Sequence, residues 1–177
     1  MIDFGLGVAL GALDQREHYR LWRNNPKIWR WTRQNDLISE GAHAEWFGAQ
    51  AADPAIKMYA ITDMGVSIGV CGLTSIDMAN RHAEFSLYIA PRYQGRGYGG
   101  RALETLLYHG FSNLGLRSIW GETFENNPAR KTFAAAGMRE DGVRRQFYWK
   151  DGRYWDAILI SVLAEEFFEK HGKRSCF

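Results

Sequence analysis

Apolar and polar residues alternate along the middle of the chain, in short runs that Gly, Asp and Asn turns separate. A period of two is typical of β-strands whose faces meet different surroundings. The run 81–89 has one apolar and one polar face, formed by Ala83, Phe85, Leu87 and Ile89 and by His82, Glu84, Ser86 and Tyr88. Because a central strand with a polar face is unusual, we expect this face to line a cleft. The predicted strands are 4–10, 56–62, 66–76, 81–89, 117–124, 138–149 and 153–162.

Helix signals lie between and after these strands. Asp14 starts one apolar-periodic run, and Pro26 blocks its continuation. Ser39 and Asn127 are suited to cap two further helices, and Gly137 is suited to end the second of them in the left-handed conformation. The predicted helices are 14–24, 39–51, 99–111, 127–136 and 162–170. Strands and helices therefore mix along the whole chain, which predicts an α/β (α+β) protein.

A glycine-rich segment, residues 92–99, joins the strand 81–89 to the helix that begins at Gly99. Glycines ahead of a helix N-terminus allow backbone N–H groups to approach a phosphate closely. A Walker loop needs Gly-Lys-Ser/Thr at its end, and a dinucleotide fingerprint needs Gly-x-Gly-x-x-Gly; neither spacing is present. The segment predicts a site for a different phosphorylated ligand, and the alternative for the segment alone is a turn that binds nothing.

Two motifs in this chain resemble those of the GNAT superfamily of N-acetyltransferases. The loop is similar to that family's acetyl-coenzyme A loop, Gln/Arg-x-x-Gly-x-Gly/Ala, in two registers: Gln94, Gly97 and Gly99, or Arg92, Gly95 and Gly97. Residues 126–138 resemble the family's second motif through Asn126, Ala129, Phe133, Gly137 and Met138. Within the family, this second stretch and the hairpin after it look like the branch that contains ribosomal-protein N-terminal acetyltransferases.

The resemblance implies a fold, a cosubstrate and the residues that bind it. The fold is a mixed, mostly antiparallel sheet, splayed between its fourth and fifth strands, with helices on both faces and one domain over residues 1–177. Acetyl-CoA would enter the splay, and no metal is implied. The implied cofactor-binding residues are Leu87, Ile89, Gln94, Gly95, Arg96, Gly97, Tyr98, Gly99 and Asn126.

Acetyl transfer needs a base, because a protonated amine cannot attack a thioester. Glu84 on the polar strand face is the candidate catalytic base, and an ion pair with Arg81 or Arg101 is its alternative role. Many relatives carry a tyrosine at the position of Phe133 to protonate the leaving thiolate. Tyr88 is the candidate substitute, unless the thiolate leaves without a dedicated acid.

The amine acceptor is expected between the N-terminal helices and the final hairpin. Trp31, Arg33, His43 and Tyr148 are the candidate substrate residues, and ordinary core or surface packing is their alternative role. The acceptor is predicted to be a small-molecule primary amine, such as an amino sugar on a nucleotide carrier. A peptide N-terminus is the second acceptor, and a non-catalytic acetyl-CoA sensor is the hypothesis of another class.

Composition agrees with one enzyme-sized domain. The 177 residues are 46% hydrophobic, which is enough for one sizeable core. A net charge of +2 gives no basic face that would predict nucleic-acid binding. Cys71 and Cys176 lie far apart without metal-ligand spacing, so we expect free thiols in a reducing compartment. The N-terminus has no secretory pattern and no long apolar run occurs, which predicts a cytoplasmic monomer or homodimer without a membrane partner.

Overall fold

Eight strands form one continuous sheet. The computed structural model describes residues 1–13 and 16–174; Asp14 and Cys176 lie outside the described residues. The strands are β1 (Ile2–Asp3), β2 (Ala9–Gly11), β3 (Lys57–Asp63), β4 (Val66–Asp77), β5 (His82–Ile89), β6 (Ser118–Phe124), β7 (Arg139–Lys150) and β8 (Arg153–Leu163). Their order across the sheet is β1-β2-β3-β4-β5-β6-β8-β7. Neighbouring strands are antiparallel except β5 and β6, which are parallel. The predicted mixed, mostly antiparallel sheet is confirmed.

Helices cover both faces of this sheet, as predicted. They are α1 (Arg16–Arg23), α2 (Pro26–Trp29), α3 (Glu40–Ala52), α4 (Tyr98–Tyr108), α5 (Arg130–Ala135) and α6 (Ala164–His171). Successive residues Ala60 and Ile61 of β3 point to opposite faces. Ile61 belongs to a hydrophobic cluster with residues of α4 and α6, whereas Ala60 belongs to a second cluster with residues of α1, α2 and α3. The sheet therefore separates two cores.

The splay that positions the site lies between β5 and β6. These strands pair only at three positions, and the last pair joins Glu84 to Trp120. Beyond it the strands separate, while β5 stays paired with β4 as far as Ile89. The buried Phe85 ring fills the start of the gap, because Gly121 opposite it has no side chain. The sheet opens at the end of β5 that leads into the glycine-rich loop.

We expect Gly121→Ala to destabilise the protein by about 1–3 kcal/mol, as overpacked cores do. An added Cβ would lie 2.4 Å from Phe85 Cε1, and that ring is held against Phe133, with ring centroids 5.3 Å apart. Urea unfolding measures the difference. The matched control is Gly142→Ala in β7, where a Cβ meets no atom within 4 Å. Equal stability of both variants would show that Phe85 moves freely.

Two predicted element boundaries are wrong and one helix, α2, was not predicted, each for a local reason. Residues 4–10 are not one strand: Gly5 and Gly7 adopt φ values of 72° and 75°, the chain turns there after β1, and only Ala9 and Leu10 belong to β2. Pro26 opens α2 rather than only ending α1, because proline is tolerated in a first turn, where Asn25 Oδ1 accepts from Lys27 N. Helix α5 starts late because Asn127 Oδ1 bonds the nearby Ala129 N–H in a turn.

Candidate active site

The glycine-rich loop presents free backbone donors to a phosphate. Gly95 and Gly97 have φ values of 75° and 78°, which glycine adopts without strain. Helix α4 begins at Tyr98, so the N–H groups of its first turn have no partner within the helix. A Cβ at Gly95 or Gly97 would meet no atom within 4 Å, which leaves open space for a ligand. The loop fits the pyrophosphate of acetyl-CoA.

Side chains of the loop fix its shape. Gln94 Nε2 donates to the Ile89 carbonyl oxygen at 2.9 Å, and the Tyr98 hydroxyl donates to Asp63 Oδ2 at 2.5 Å. The hydrogen bond to Asp63 raises the pKa of Tyr98. Arg101 stacks on the Tyr98 ring, with its guanidinium carbon 4.5 Å from the ring centroid. Gln94 and Tyr98 therefore act through their side chains on the protein, and only their backbone groups are free for a ligand.

The remaining predicted cofactor residues lie around the same opening. Leu87 and Ile89 are on the part of β5 whose edge toward β6 has no strand partner in the described chain. Arg96 is exposed in the loop, and Gly99 lies in the first turn of α4. Asn126 is exposed just after β6, whereas its neighbour Asn127 is hydrogen-bonded to Thr123 and Ala129. Their contacts with acetyl-CoA stay predictions.

Two buried carboxylates stand side by side near the splay. Glu84, 8% exposed, forms an ion pair with Arg33, with Nη2 2.7 Å from Oε1. Arg81 or Arg101 was the expected ion-pair partner of Glu84; the partner is Arg33. Glu122 on β6 lies 3.9 Å from Arg33 Nη1, accepts from the Tyr148 hydroxyl at 2.6 Å, and pairs with Arg144.

Glu122 was missed from the sequence, although a signal for it exists. In β6, Ser118, Trp120 and Glu122 alternate with buried neighbours, and Trp120 is paired directly with Glu84. Because side chains of paired residues share a face, Glu122 belongs to the same polar face of the sheet as Glu84. Reading the alternation across both parallel strands, rather than in one, predicts this pair of carboxylates.

The charges of this cluster are layered. The Glu84 and Glu122 side chains are 10% and 5% exposed, while those of Arg33 and Arg144 are 52% and 46% exposed. We call the two carboxylates the acidic floor and the two guanidinium groups the basic rim. Burial by itself lowers the pKa of Arg33. Glu84, together with Tyr148 and Glu122, outweighs this effect, so the pKa of Arg33 is raised above its ordinary value. Arg33 stays charged.

Three of the four predicted substrate residues line one small pocket. Trp31, Arg33 and Tyr148 surround it together with Glu122, Thr123 and Phe124. Burial and the hydrogen bond to Glu122 raise the pKa of Tyr148, so its hydroxyl stays protonated at neutral pH. The pocket is therefore aromatic and charged, as expected of the acceptor site.

His43, the fourth predicted substrate residue, is not among the residues that line this pocket, and its contact with the acceptor stays a prediction. It is buried in α3, and its ring centroid lies 6.0 Å and 6.3 Å from those of Trp46 and Phe47. His43 and Phe47 are four residues apart, so they share the inward face of the helix. Burial lowers the pKa of His43. The ring contacts of His43 are therefore with side chains of its own helix.

Tyr88, the candidate acid, lies on the same strand face as Glu84. Its half-buried ring lies 5.8 Å from the Arg23 guanidinium carbon. Burial raises the pKa of Tyr88 above its ordinary value, so the hydroxyl is protonated at neutral pH. Phe133 packs edge-on against Phe85 and supplies no hydroxyl. Tyr88 therefore stays the candidate proton donor on this face.

Comparison with known proteins identifies the family. The Acetyltransferase (GNAT) domain family matches residues 9–139, which is most of the chain. The chain belongs to the GNAT acetyltransferase family. It is an acetyl-CoA-dependent N-acetyltransferase, and the cosubstrate predicted from the loop is confirmed at that level.

Relatives of this GNAT protein differ in the acceptors for which they are named. Spermidine N(1)-acetyltransferase of Vibrio cholerae is 26% identical over 149 residues, 83% of this chain and 86% of that protein. The [ribosomal protein bS18]-alanine N-acetyltransferase of Haemophilus influenzae is 33% identical over 78 residues, 44% of this chain and 53% of that protein. The crystal structure of the Vibrio cholerae spermidine enzyme with CoA and spermine superposes with a TM-score of 0.87 at 25% identity, covering 92% and 98% of the two chains.

The described residues contain neither a membrane-spanning helix nor a group of metal-ligating side chains. No helix in residues 1–13 and 16–174 is both long and apolar enough to cross a bilayer. In the same ranges, no three His, Cys, Asp or Glu side chains lie together as metal ligands would. Cys71 is fully buried, and burial raises the pKa of its thiol.

A buried lysine fixes the segment that carries Trp31 and Arg33 in this GNAT protein. Lys150, 3% exposed at the end of β7, donates from Nζ to the carbonyl oxygens of Trp29, Thr32 and Gln34 at 2.8–2.9 Å. Its Nζ also lies 4.0 Å from the Trp29 ring centroid. Three charge-assisted hydrogen bonds from one group hold the backbone on both sides of Arg33. The position of Arg33 on the basic rim therefore depends on two distant parts of the sequence, the segment 29–34 and Lys150.

We expect Lys150→Met to lower kcat/KM for the amine by about 10- to 100-fold, because misplacing a substrate contact by about 1 Å has effects of that size. The KM for acetyl-CoA should stay within about twofold, because the three hydrogen bonds of Lys150 go to residues 29–34 and not to the cofactor loop 94–99. Steady-state kinetics with both substrates varied gives the comparison. Lys57→Met, at an exposed lysine of β3, is the control. Equal losses for both substrates would instead indicate a general folding defect.

Proposed function

We propose that this protein transfers acetyl from acetyl-CoA to the primary amine of a small molecule, in the pocket between Trp31, Arg33 and Tyr148. The observation that carries the proposal is the position of Glu84. It is a buried carboxylate on the polar face of β5, at the last residue pair before β5 and β6 separate. A proton acceptor there lies between the cofactor opening and the acceptor pocket.

The residues divide the reaction between them. Bound acetyl-CoA supplies the acetyl group as a thioester. Glu84 takes a proton from the acceptor ammonium, directly or through water, and so makes the nitrogen nucleophilic. Tyr88, protonated at neutral pH, is the donor available on the same strand face for the departing thiolate. Trp31 and Tyr148 enclose the carbon chain of the acceptor, while the loop 94–99 holds the pyrophosphate.

Three classes of acceptor that contain a primary amine are considered: polyamines, peptide N-termini and amino sugars. A polyamine is favoured by the likeness to the Vibrio cholerae spermidine enzyme, and a peptide N-terminus by the likeness to the Haemophilus influenzae ribosomal-protein enzyme. An amino sugar on a nucleotide carrier was expected from the sequence, and neither of these relatives is named for such an acceptor. These classes differ in the charge that the acceptor carries besides its amine, so the charges of the pocket distinguish them. A monomer or homodimer remains the prediction for the assembly.

An amine-panel assay tests the proposal. Purified protein is incubated with acetyl-CoA and diamines, amino acids, amino sugar nucleotides or peptides, and free coenzyme A thiol is followed. We expect amine-dependent thiol release, with acetylated amine confirmed by mass spectrometry. Tight acetyl-CoA binding with no release for any amine would contradict catalysis and favour the non-catalytic sensor.

A further inference from the structure

The proposed acceptor pocket has a charge pattern that its role as a simple amine site does not require. An ammonium group needs negative charge, and the acidic floor provides it: Glu122 lines the pocket, and Glu84 adjoins it through its contact with Arg33. Yet both carboxylates are already paired, and Arg33 contacts both of them. The more exposed charged groups of this cluster are the guanidinium groups of Arg33 and Arg144. An acceptor therefore meets positive charge first and negative charge deeper in.

We propose that the acceptor carries an anionic group, carboxylate or phosphate, near its primary amine, and that Arg33 binds this group. The inference rests on the proposed function and adds a substrate class to it. The ammonium of such an acceptor lies on the acidic floor, and its anion lies against the basic rim. Every charge in the pocket is then paired within the bound complex.

Arg33 is suited to this role by its position and chemistry. Its side chain is half exposed, although its Nη2 contacts the nearly buried Glu84. A guanidinium group binds carboxylate and phosphate through two parallel N–H donors, and it keeps its charge at any physiological pH. Arg30 lies next to it, with its guanidinium carbon 5.4 Å from the centroid of the Trp31 ring. A second exposed guanidinium group therefore lies beside a residue that lines the pocket.

The same contact controls the candidate base. In the free protein Arg33 forms an ion pair with Glu84, and its guanidinium group occupies the position beside this carboxylate. An anion on the acceptor draws Arg33 toward the rim, and the ammonium takes its place beside Glu84. Recognition of the anion and release of the base are thus one movement of one side chain. A neutral or dicationic amine gives Arg33 no alternative partner.

The polyamine alternative conflicts with this pattern. A diamine that places one ammonium on the acidic floor brings its other ammonium toward Arg33 and Arg144. Like charges at contact distance repel, and they repel more strongly where the pocket is partly shielded from water. The fold is shared with the Vibrio cholerae spermidine enzyme, but the charges of this pocket select against a second cation.

Three amines with the same four-carbon chain test the inference: 4-aminobutyrate, butylamine and putrescine. They share the primary amine and four carbons; the fourth carbon is a carboxylate in 4-aminobutyrate, a methyl group in butylamine and a methylene that carries an ammonium in putrescine. We expect kcat/KM to be about 10- to 100-fold higher for 4-aminobutyrate than for butylamine, the range of one charge-assisted hydrogen bond. Putrescine should be the poorest of the three. Equal rates for all three, or a preference for putrescine, would overturn the inference.

Variants at Arg33 assign the preference to that residue. In Arg33→Met, 4-aminobutyrate and butylamine should become equal, and in Arg33→Glu putrescine should become the best of the three. Arg139→Met, which removes an exposed arginine that pairs with Glu166, should keep the wild-type preference. An unchanged preference in Arg33→Met contradicts the role of Arg33. Absence of thiol release with every amine in the wild type would overturn the proposed function together with the inference, whereas release without anion preference overturns the inference alone.

Discussion

Replacing Gly97 with valine should weaken acetyl-CoA binding at least about 100-fold, because two charged hydrogen bonds of about 1.5–3 kcal/mol each would be lost. Gly97 precedes α4 with a φ of 78°, a conformation that a β-branched residue avoids. Valine would move the backbone and also fill the open space in front of the helix N-terminus. Isothermal calorimetry with acetyl-CoA measures the effect.

Gly65→Val provides the matched control for this variant. Gly65 has a φ of 79° and open space around it, as Gly97 does, but it lies in the turn between β3 and β4. Both variants should lose about 1–2 kcal/mol of stability from the left-handed conformation. Only Gly97→Val should lose acetyl-CoA binding. Similar affinity of both variants would place the pyrophosphate elsewhere.

The sheet and the cofactor loop could be predicted because their signals are local. The alternation in 81–89 defines both faces of β5, and the glycines of 92–99 mark the turn into α4. The start of the chain was mispredicted because apolar residues around Gly5 and Gly7 have the composition of a strand. Their positive φ values belong to a turn, and side-chain alternation contains no information about φ.

The acceptor site could be predicted only as a set of residue types. Trp31, Arg33 and Tyr148 were named from aromatic and basic character, and the structure places them around one pocket. The contact of Arg33 with Glu84 joins residues 51 positions apart, so no spacing rule reveals it. The same holds for Lys150, whose three acceptors lie over a hundred residues earlier in the sequence. Such contacts depend on which strands become neighbours, and that is a property of the whole fold.

Glu84→Gln should reduce kcat by about 10²- to 10⁴-fold, the usual contribution of a positioned proton acceptor. The amide keeps an oxygen that can accept from Arg33, so the pocket should keep its shape. Acetyl-CoA affinity should not change, because Glu84 lies on β5 and outside the loop 94–99. Single-turnover kinetics at saturating amine separates the chemical step from binding.

Glu122→Gln is the control that separates the loss of a proton acceptor from the loss of a buried negative charge. Glu122 is also buried and also contacts Arg33. We expect this variant to change KM for the amine while kcat stays within about tenfold, since a floor residue that does not take the proton acts on binding. Only Glu84→Gln should therefore lower kcat by more than about tenfold. If Glu122→Gln loses kcat by this amount and Glu84→Gln retains it, Glu122 is the base, and the two carboxylates of the floor exchange roles.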